Sequence, residues 1–178
     1  MAGALGDVQL TMKSASLSVL VLGVALALPA AAAPDMTAPI DLSSPEATAF
    51  SMMRAMFQGD AAMVDQVFVE GAQLRRVTAE GELRPDGQQG WRDWVGTLEI
   101  GDAHEDLFGV RVEQHGKLAT VWAPFQIHFK GELVGCGVNT LTMAEFGGQW
   151  RVVFGMDAGE PEGTCAGFKE RYLATLNR

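Results

Sequence analysis

Apolar residues recur in two rhythms along this chain, and the change falls near residue 105. Before it, Phe50, Met53, Met56 and Phe57 follow a helical spacing. Ser44-Pro45-Glu46 opens that helix, with serine at the N-cap and proline at the first helical position. Gly59 closes it. Asp60 caps a second helix carrying Met63, Val64 and Phe68, ended by Gly71. Residues 72–79 predict a strand, and residues 80–87 a turn-rich connection with Gly81, Pro85 and Gly87. A short helix bearing Trp91, Trp94 and Leu98 follows. From about 105 to 158 the pattern becomes strand, two-residue turn, strand, repeated. The turns are His115-Gly116, Lys130-Gly131 and Gly147-Gly148, which predicts a four-strand antiparallel meander. Phe168, Tyr172 and Leu176 mark a last amphipathic helix, with Thr164 as its cap.

Helices first and a run of strands later is an α+β signature. Turn positions set register, and register sets which side chains share a face. A loop at Lys130-Gly131 places His128 opposite Leu133, Gln126 opposite Gly135 and Phe125 opposite Cys136. A loop at Gly147-Gly148 places Met143 opposite Val152, Leu141 opposite Phe154, Asn139 opposite Met156 and Cys136 opposite Gly159. Leu141, Met143, Trp150, Val152, Phe154 and Met156 then form one apolar face, expected to meet the helices. Trp122, Gln126, His128 and Asn139 fall on it, and Asp157 on the other. Val110, Val112, Ala119, Val121 and Ala123 conflict, forming an apolar row on the opposite face. Proline in a strand marks an edge or a bulge, so Pro124 predicts a bulge or kink within residues 122–125 that swaps the faces.

The first 32 residues read as a leader. Lys13 is the only cation before residue 54, and an apolar run of twelve residues follows from Leu17 to Leu28. Pro29 and the alanines from Ala30 to Ala33 complete a secretory signal peptide, with cleavage expected after Ala32. Met12 is an alternative start. An uncleaved anchor would need about 20 apolar residues, more than this run supplies. Residues 33–43 read as a linker, and residues 44–178 as one domain with a tail helix. The expected compartment is periplasmic or secreted.

Composition narrows the partners. The chain has 178 residues and a formal net charge of −9. Lys13 and Asp7 cancel in the leader, so the exported domain keeps that charge. An acidic domain lacks the basic face that nucleic acid requires, and it is not drawn to anionic membranes. No nucleic-acid partner is expected, and no membrane partner after cleavage. In an oxidising compartment Cys136 and Cys165 can form one disulfide, the alternative being a buried free Cys136.

Residues 110–158 resemble the nuclear transport factor 2-like superfamily, and most of all its lumazine-binding and SnoaL-like branch. The likeness rests on Gly116-Lys117-Leu118-Ala119-Thr120-Val121-Trp122-Ala123-Pro124, on Gly131, on Cys136-Gly137-Val138, and on Gly148-Gln149-Trp150-Arg151-Val152-Val153. Upstream, Phe57-Gln58-Gly59-Asp60 ends one helix and opens the next as in that group. The resemblance implies a cone-shaped α+β barrel, its bent antiparallel sheet wrapped around the N-terminal helices and a pocket. It implies a homodimer as common. It does not imply a reaction, because one fold hosts many functions.

Several chemistries lack their residues. No serine follows Ser51, so the G-x-S-x-G elbow is missing. His104, His115 and His128 have no metal-ligand spacing, and no glycine-rich nucleotide loop occurs. No metal or cofactor is expected. Ketosteroid isomerase pairs an aspartate base with tyrosine and aspartate donors. This chain has only Tyr172, in its tail, so that arrangement does not carry over. The expected pocket residues are Trp122, Gln126, His128, Asn139, Phe154 and Met156, an apolar set with a few polar groups, as small-ligand sites have. The first reading is a ligand-binding domain without catalysis. The alternatives are an isomerase or dehydratase with His128 as acid-base group, and a ligand-free dimerisation module. Trp91 and Trp94 could form a lid, or be ordinary helix packing.

Overall fold

A computed structural model describes residues 34–176. The expected leader and both candidate start residues lie outside the described residues. The elements are α1 (Pro45–Gln58), α2 (Ala61–Val67), β1 (Phe68–Val77), α3 (Gln88–Val95), β2 (Ala103–Leu107), β3 (Arg111–His115), β4 (Leu118–Phe129), β5 (Glu132–Phe146), β6 (Gln149–Gly159) and α4 (Phe168–Leu176).

The helix starts follow from their caps. Ser44 Oγ accepts from the Ala47 N–H, and one Asp60 carboxylate oxygen accepts from the N–H groups of Ala62 and Met63. Ala49, Met52, Met53 and Met56 of α1 are buried and form the centre of the core. The helix α2 ends earlier than expected. Phe68 pairs with Val152 in a parallel ladder, so strand β1 begins three residues before Gly71. Residues 34–43 are strapped down rather than free. Leu42 is buried and its carbonyl accepts from the Trp150 N–H; Arg54 Nε donates to the Asp35 carbonyl.

One bent, unclosed six-stranded sheet runs in the order β1-β6-β5-β4-β2, with β3 also paired to β4. Lys130-Gly131 and Gly147-Gly148 turn the hairpins as expected. Each pair has positive φ at both residues, the conformation that matches strand twist in two-residue loops. The first turn is Gly116-Lys117, one residue later than expected, because His115 pairs with Leu118.

No bulge occurs at Pro124. The ladder runs regularly through it, with Pro124 opposite Val138. The physical reason lies in which side lacks a donor. A strand residue presents its N–H and C=O to the same neighbour, and the Pro124 carbonyl accepts from Phe108 N–H. The missing donor therefore faces the edge. There the first meander strand is split into β2, which pairs with residues 125–129, and β3, which pairs with residues 118–122.

The bulges lie elsewhere. His128 does oppose Leu133, but Ile127 opposes Gly135, so Val134 is the extra residue. Met143 does oppose Val152, but Thr142 opposes Phe154, so Val153 is extra in β6. Each extra residue reverses the parity of everything beyond it. Gln126 consequently faces Cys136, Phe125 faces Gly137, Leu141 faces Gly155, Asn139 faces Asp157, and Gly159 faces Gly137 rather than Cys136. This also removes the conflict over Ala119, Val121 and Ala123. All three are buried on the concave face, in line with Met143, Leu141 and Asn139.

The tail closes over the opposite, outer face. Cys136 and Cys165 form a disulfide with Cα atoms 5.4 Å apart. Phe108, Phe168 and Tyr172 pack around it as a small cluster separate from the main core. Gly109 makes this approach possible: a Cβ there would lie 3.0 Å from a Leu176 methyl.

Candidate functional site

The concave face of the sheet is only partly filled. The methionines of α1 occupy one end. At the other end the inward positions of β5 and β6 include Gly135, Gly137 and Gly159, which contribute no side chain. A cavity of about 430 Å³ opens there. Phe125 and Ile127 form its apolar wall, the end of β1 and the two residues after it, Arg76 to Ala79, form one side, and Asp157 and Glu160 supply carboxyl groups. A Cβ on Gly159 would find only the Cys136 carbonyl, at 4.0 Å, so this glycine preserves space.

Polar side chains concentrate beside that cavity. Asn139 Nδ2 donates to Glu105 Oε1 at 2.6 Å, and Arg76 Nε donates to Asp157 Oδ2 at 2.6 Å. Asn139 and Asp157 are direct partners across β5 and β6, and both are buried. Glu105 pairs through the backbone with Ile127 of the cavity wall. By surface area Glu105 is only half-buried, yet protein packs densely around its carboxyl, and that surrounding governs its charge. Desolvation pushes its pKa up to about 7. The Asn139 hydrogen bond opposes the rise, the Asp157 charge adds to it, and Arg76 opposes it. Burial also raises the Asp157 carboxyl, against the pull of Arg76.

The expected pocket residues do not assemble. Asn139 alone lies on the concave face. Trp122 and Gln126 face outward beneath the tail: Trp122 Nε1 donates to the Tyr172 hydroxyl at 2.8 Å, and Gln126 Nε2 donates to the Cys165 carbonyl at 2.9 Å. His128 is on that outer face beside its ladder partner His104, with ring centroids 6.4 Å apart. Phe154 and Met156 also turn outward, opposite Thr142 and Thr140. Asp157, expected on the far face, points inward instead. The extra residues Val134 and Val153 account for all these reversals. Their signal was present as the unbroken runs Leu133-Val134 and Val152-Val153-Phe154, which violate strict alternation. Glu105 and Arg76 carried no such signal, because neither strand has a turn that sets its register. His128 and Cys136 share the outer face, but Cys136 is disulfide-bonded and offers no thiol. Trp91 packs against Phe68 and Trp94 lies near Phe129, and neither lines this cavity. Among the described residues, no group of three His, Cys, Asp or Glu side chains converges as a metal site requires.

Solved structures match this arrangement. A protein of unknown function described as nuclear transport factor 2-like, from Shewanella baltica, aligns with a TM-score of 0.50 at 15% identity, over 65% of this chain and 90% of its own. The fold is nuclear transport factor 2-like. A protein of unknown function from Mycobacterium tuberculosis aligns with a TM-score of 0.54 at 14% identity, over 67% of this chain and 76% of its own. A nuclear transport factor 2-like protein of unknown function from Methylobacillus flagellatus gives 0.50 at 12%, over 64% and 87%. No family model and no curated protein matches the chain. The concave-face residues Phe125, Ile127, Asp157 and Gly159 line the cavity, and the tail helix and its disulfide lie on the outer face.

Proposed function

We propose that the protein is an exported domain that binds a small, partly apolar molecule in the concave cavity. The observation that carries this reading is the space at Gly159, bounded by Phe125 and Ile127 and joined by the Asp157 carboxyl. A half-open concave volume with an apolar wall and a few polar groups is the usual form of a ligand site. Export rests on the leader pattern. The likeness to the lumazine-binding and SnoaL-like branch supports a pocket rather than any one ligand. A homodimer belongs to the same proposal, checked by light scattering.

Native mass spectrometry of the protein purified from the periplasm tests the reading. A co-purified small molecule is expected, and it should be lost in Gly159→Leu, which fills the cavity. Equal loading of both proteins would overturn the assignment to this cavity.

A second reading is acid-base catalysis at the cluster of Glu105, Asn139 and Asp157 beside the cavity. Glu105, with a pKa of about 7 beside Asp157, favours it over the outward-facing His128. Turnover of a bound ketone or hydroxy compound that disappears in Glu105→Gln would establish it.

A further inference from the structure

The charges around the cavity are unbalanced, and the imbalance selects a class of ligand. Among the residues lining it, Arg76 is the one cation, and its Nε is engaged by Asp157 at 2.6 Å. Glu160 stands on the rim with no cation beside it in the wall. Glu105 lies one strand behind Ile127, bonded only to the neutral amide of Asn139. An anion entering here would meet two lining carboxyl groups against one cation, and that cation already shares its charge with Asp157. A cation would relieve the repulsion between Glu105 and Asp157 and would restore solvation that burial has removed from both. An inorganic cation lacks the convergent donors it needs among the described residues. Phe125 and Ile127 instead offer an apolar wall to a carbon skeleton.

We propose that the cavity takes a protonated amine with an apolar body. Its ammonium would donate to Asp157 at the inner end, with Glu160 on the rim, while its hydrocarbon part lies on Phe125 and Ile127. The proposal rests on the ligand-binding reading above and names its substrate class.

A matched series separates charge from shape: 4-phenylbutylamine, 4-phenylbutan-1-ol and 4-phenylbutyrate, titrated into the full exported chain by calorimetry. The amine should bind at least about tenfold more tightly than the carboxylate, as expected where one ion is attracted and the other repelled at a partly solvated carboxyl site. Glu160→Gln, an exposed change that leaves the core intact, should weaken the amine by about two- to threefold and leave the alcohol unchanged. Gly159→Leu should abolish binding of all three. Carboxylate affinity equal to or above that of the amine would overturn the cationic class, while alcohol binding lost in Gly159→Leu would keep the ligand-binding reading. Amine binding that survives Gly159→Leu would place it elsewhere and overturn the proposal. Silence of all three compounds at millimolar concentration would overturn both readings.

Discussion

Asn139 of β5 reaches past strand β4 to donate a 2.6 Å hydrogen bond to Glu105 of β2. Ala123, which faces Asn139 across the ladder, is small enough to leave that path open. The bond links the two sides of the concave face and helps decide the charge state of the carboxyl beside the cavity.

Glu105 makes stability depend on pH. Its pKa is about 7 in the folded protein, against 4.5 for an unperturbed glutamate. Between those values the folded state keeps a proton that the unfolded state has lost. Its contribution is therefore fully present below about 4.5 and is lost as pH rises through about 7. Asp157, also raised, acts with the same sign from lower pH. Urea midpoints should fall over this window in the natural protein and fall less in Glu105→Gln. Identical pH slopes would remove Glu105 as the titrating group.

Asn139→Ala removes the donor that favours the Glu105 carboxylate. We expect a loss of about 1–3 kcal/mol, the range for leaving a buried polar partner unsatisfied. The loss should be larger at pH 8 than at pH 5, because only the ionised carboxylate needs the bond strongly. A loss independent of pH would mean that Asn139 matters for packing alone.

The glycines of the concave face should differ sharply. A Cβ on Gly137 would lie 2.1 Å from the Ala158 carbonyl oxygen, a backbone atom that cannot move aside. Gly137→Ala should cost more than about 2 kcal/mol or prevent folding, as overpacking does. Gly159→Ala meets nothing closer than 4.0 Å and should change the melting temperature little. Thermal unfolding of the two variants compares them directly.

The tail should detach when its disulfide is removed. Cys136 and Cys165 are 29 residues apart, a loop whose closure is worth roughly 3–4 kcal/mol by chain entropy. The other attachments include the apolar cluster of Phe108, Phe168 and Tyr172 and three polar contacts: Trp122 to Tyr172, Gln126 to the Cys165 carbonyl, and Lys169 to Asp106 at 2.6 Å. The double variant Cys136→Ala, Cys165→Ala should lose amide protection over residues 168–176 while β5 and β6 keep theirs. Hydrogen exchange reads this, and uniform loss across the sheet would contradict a separable tail.

Local chemistry made much of the fold legible. The cap at Ser44, the Asp60 cap, the Lys130-Gly131 and Gly147-Gly148 turns and the tail helix are each decided by residues a few positions apart. Hairpin register near each turn was right for the same reason: His128 opposes Leu133 and Met143 opposes Val152. Beyond each turn it failed by one residue, because Val134 and Val153 bulge. Period-two alternation converts a one-residue error into a change of face, so five of the six expected pocket residues turned outward and Asp157 turned inward.

The sequence by itself determined the α+β order, the starts of the first two helices, the Lys130-Gly131 and Gly147-Gly148 turns and the acidic, apolar character of the domain, since these depend on near neighbours and composition. Only the tertiary structure decided that Pro124 splits the edge strand and that Arg76 meets Asp157. It also decided that Asn139 reaches Glu105, bringing together residues 34 positions apart. Those outcomes depend on which strands pair and with what register, and pairing energy is shared over the whole sheet.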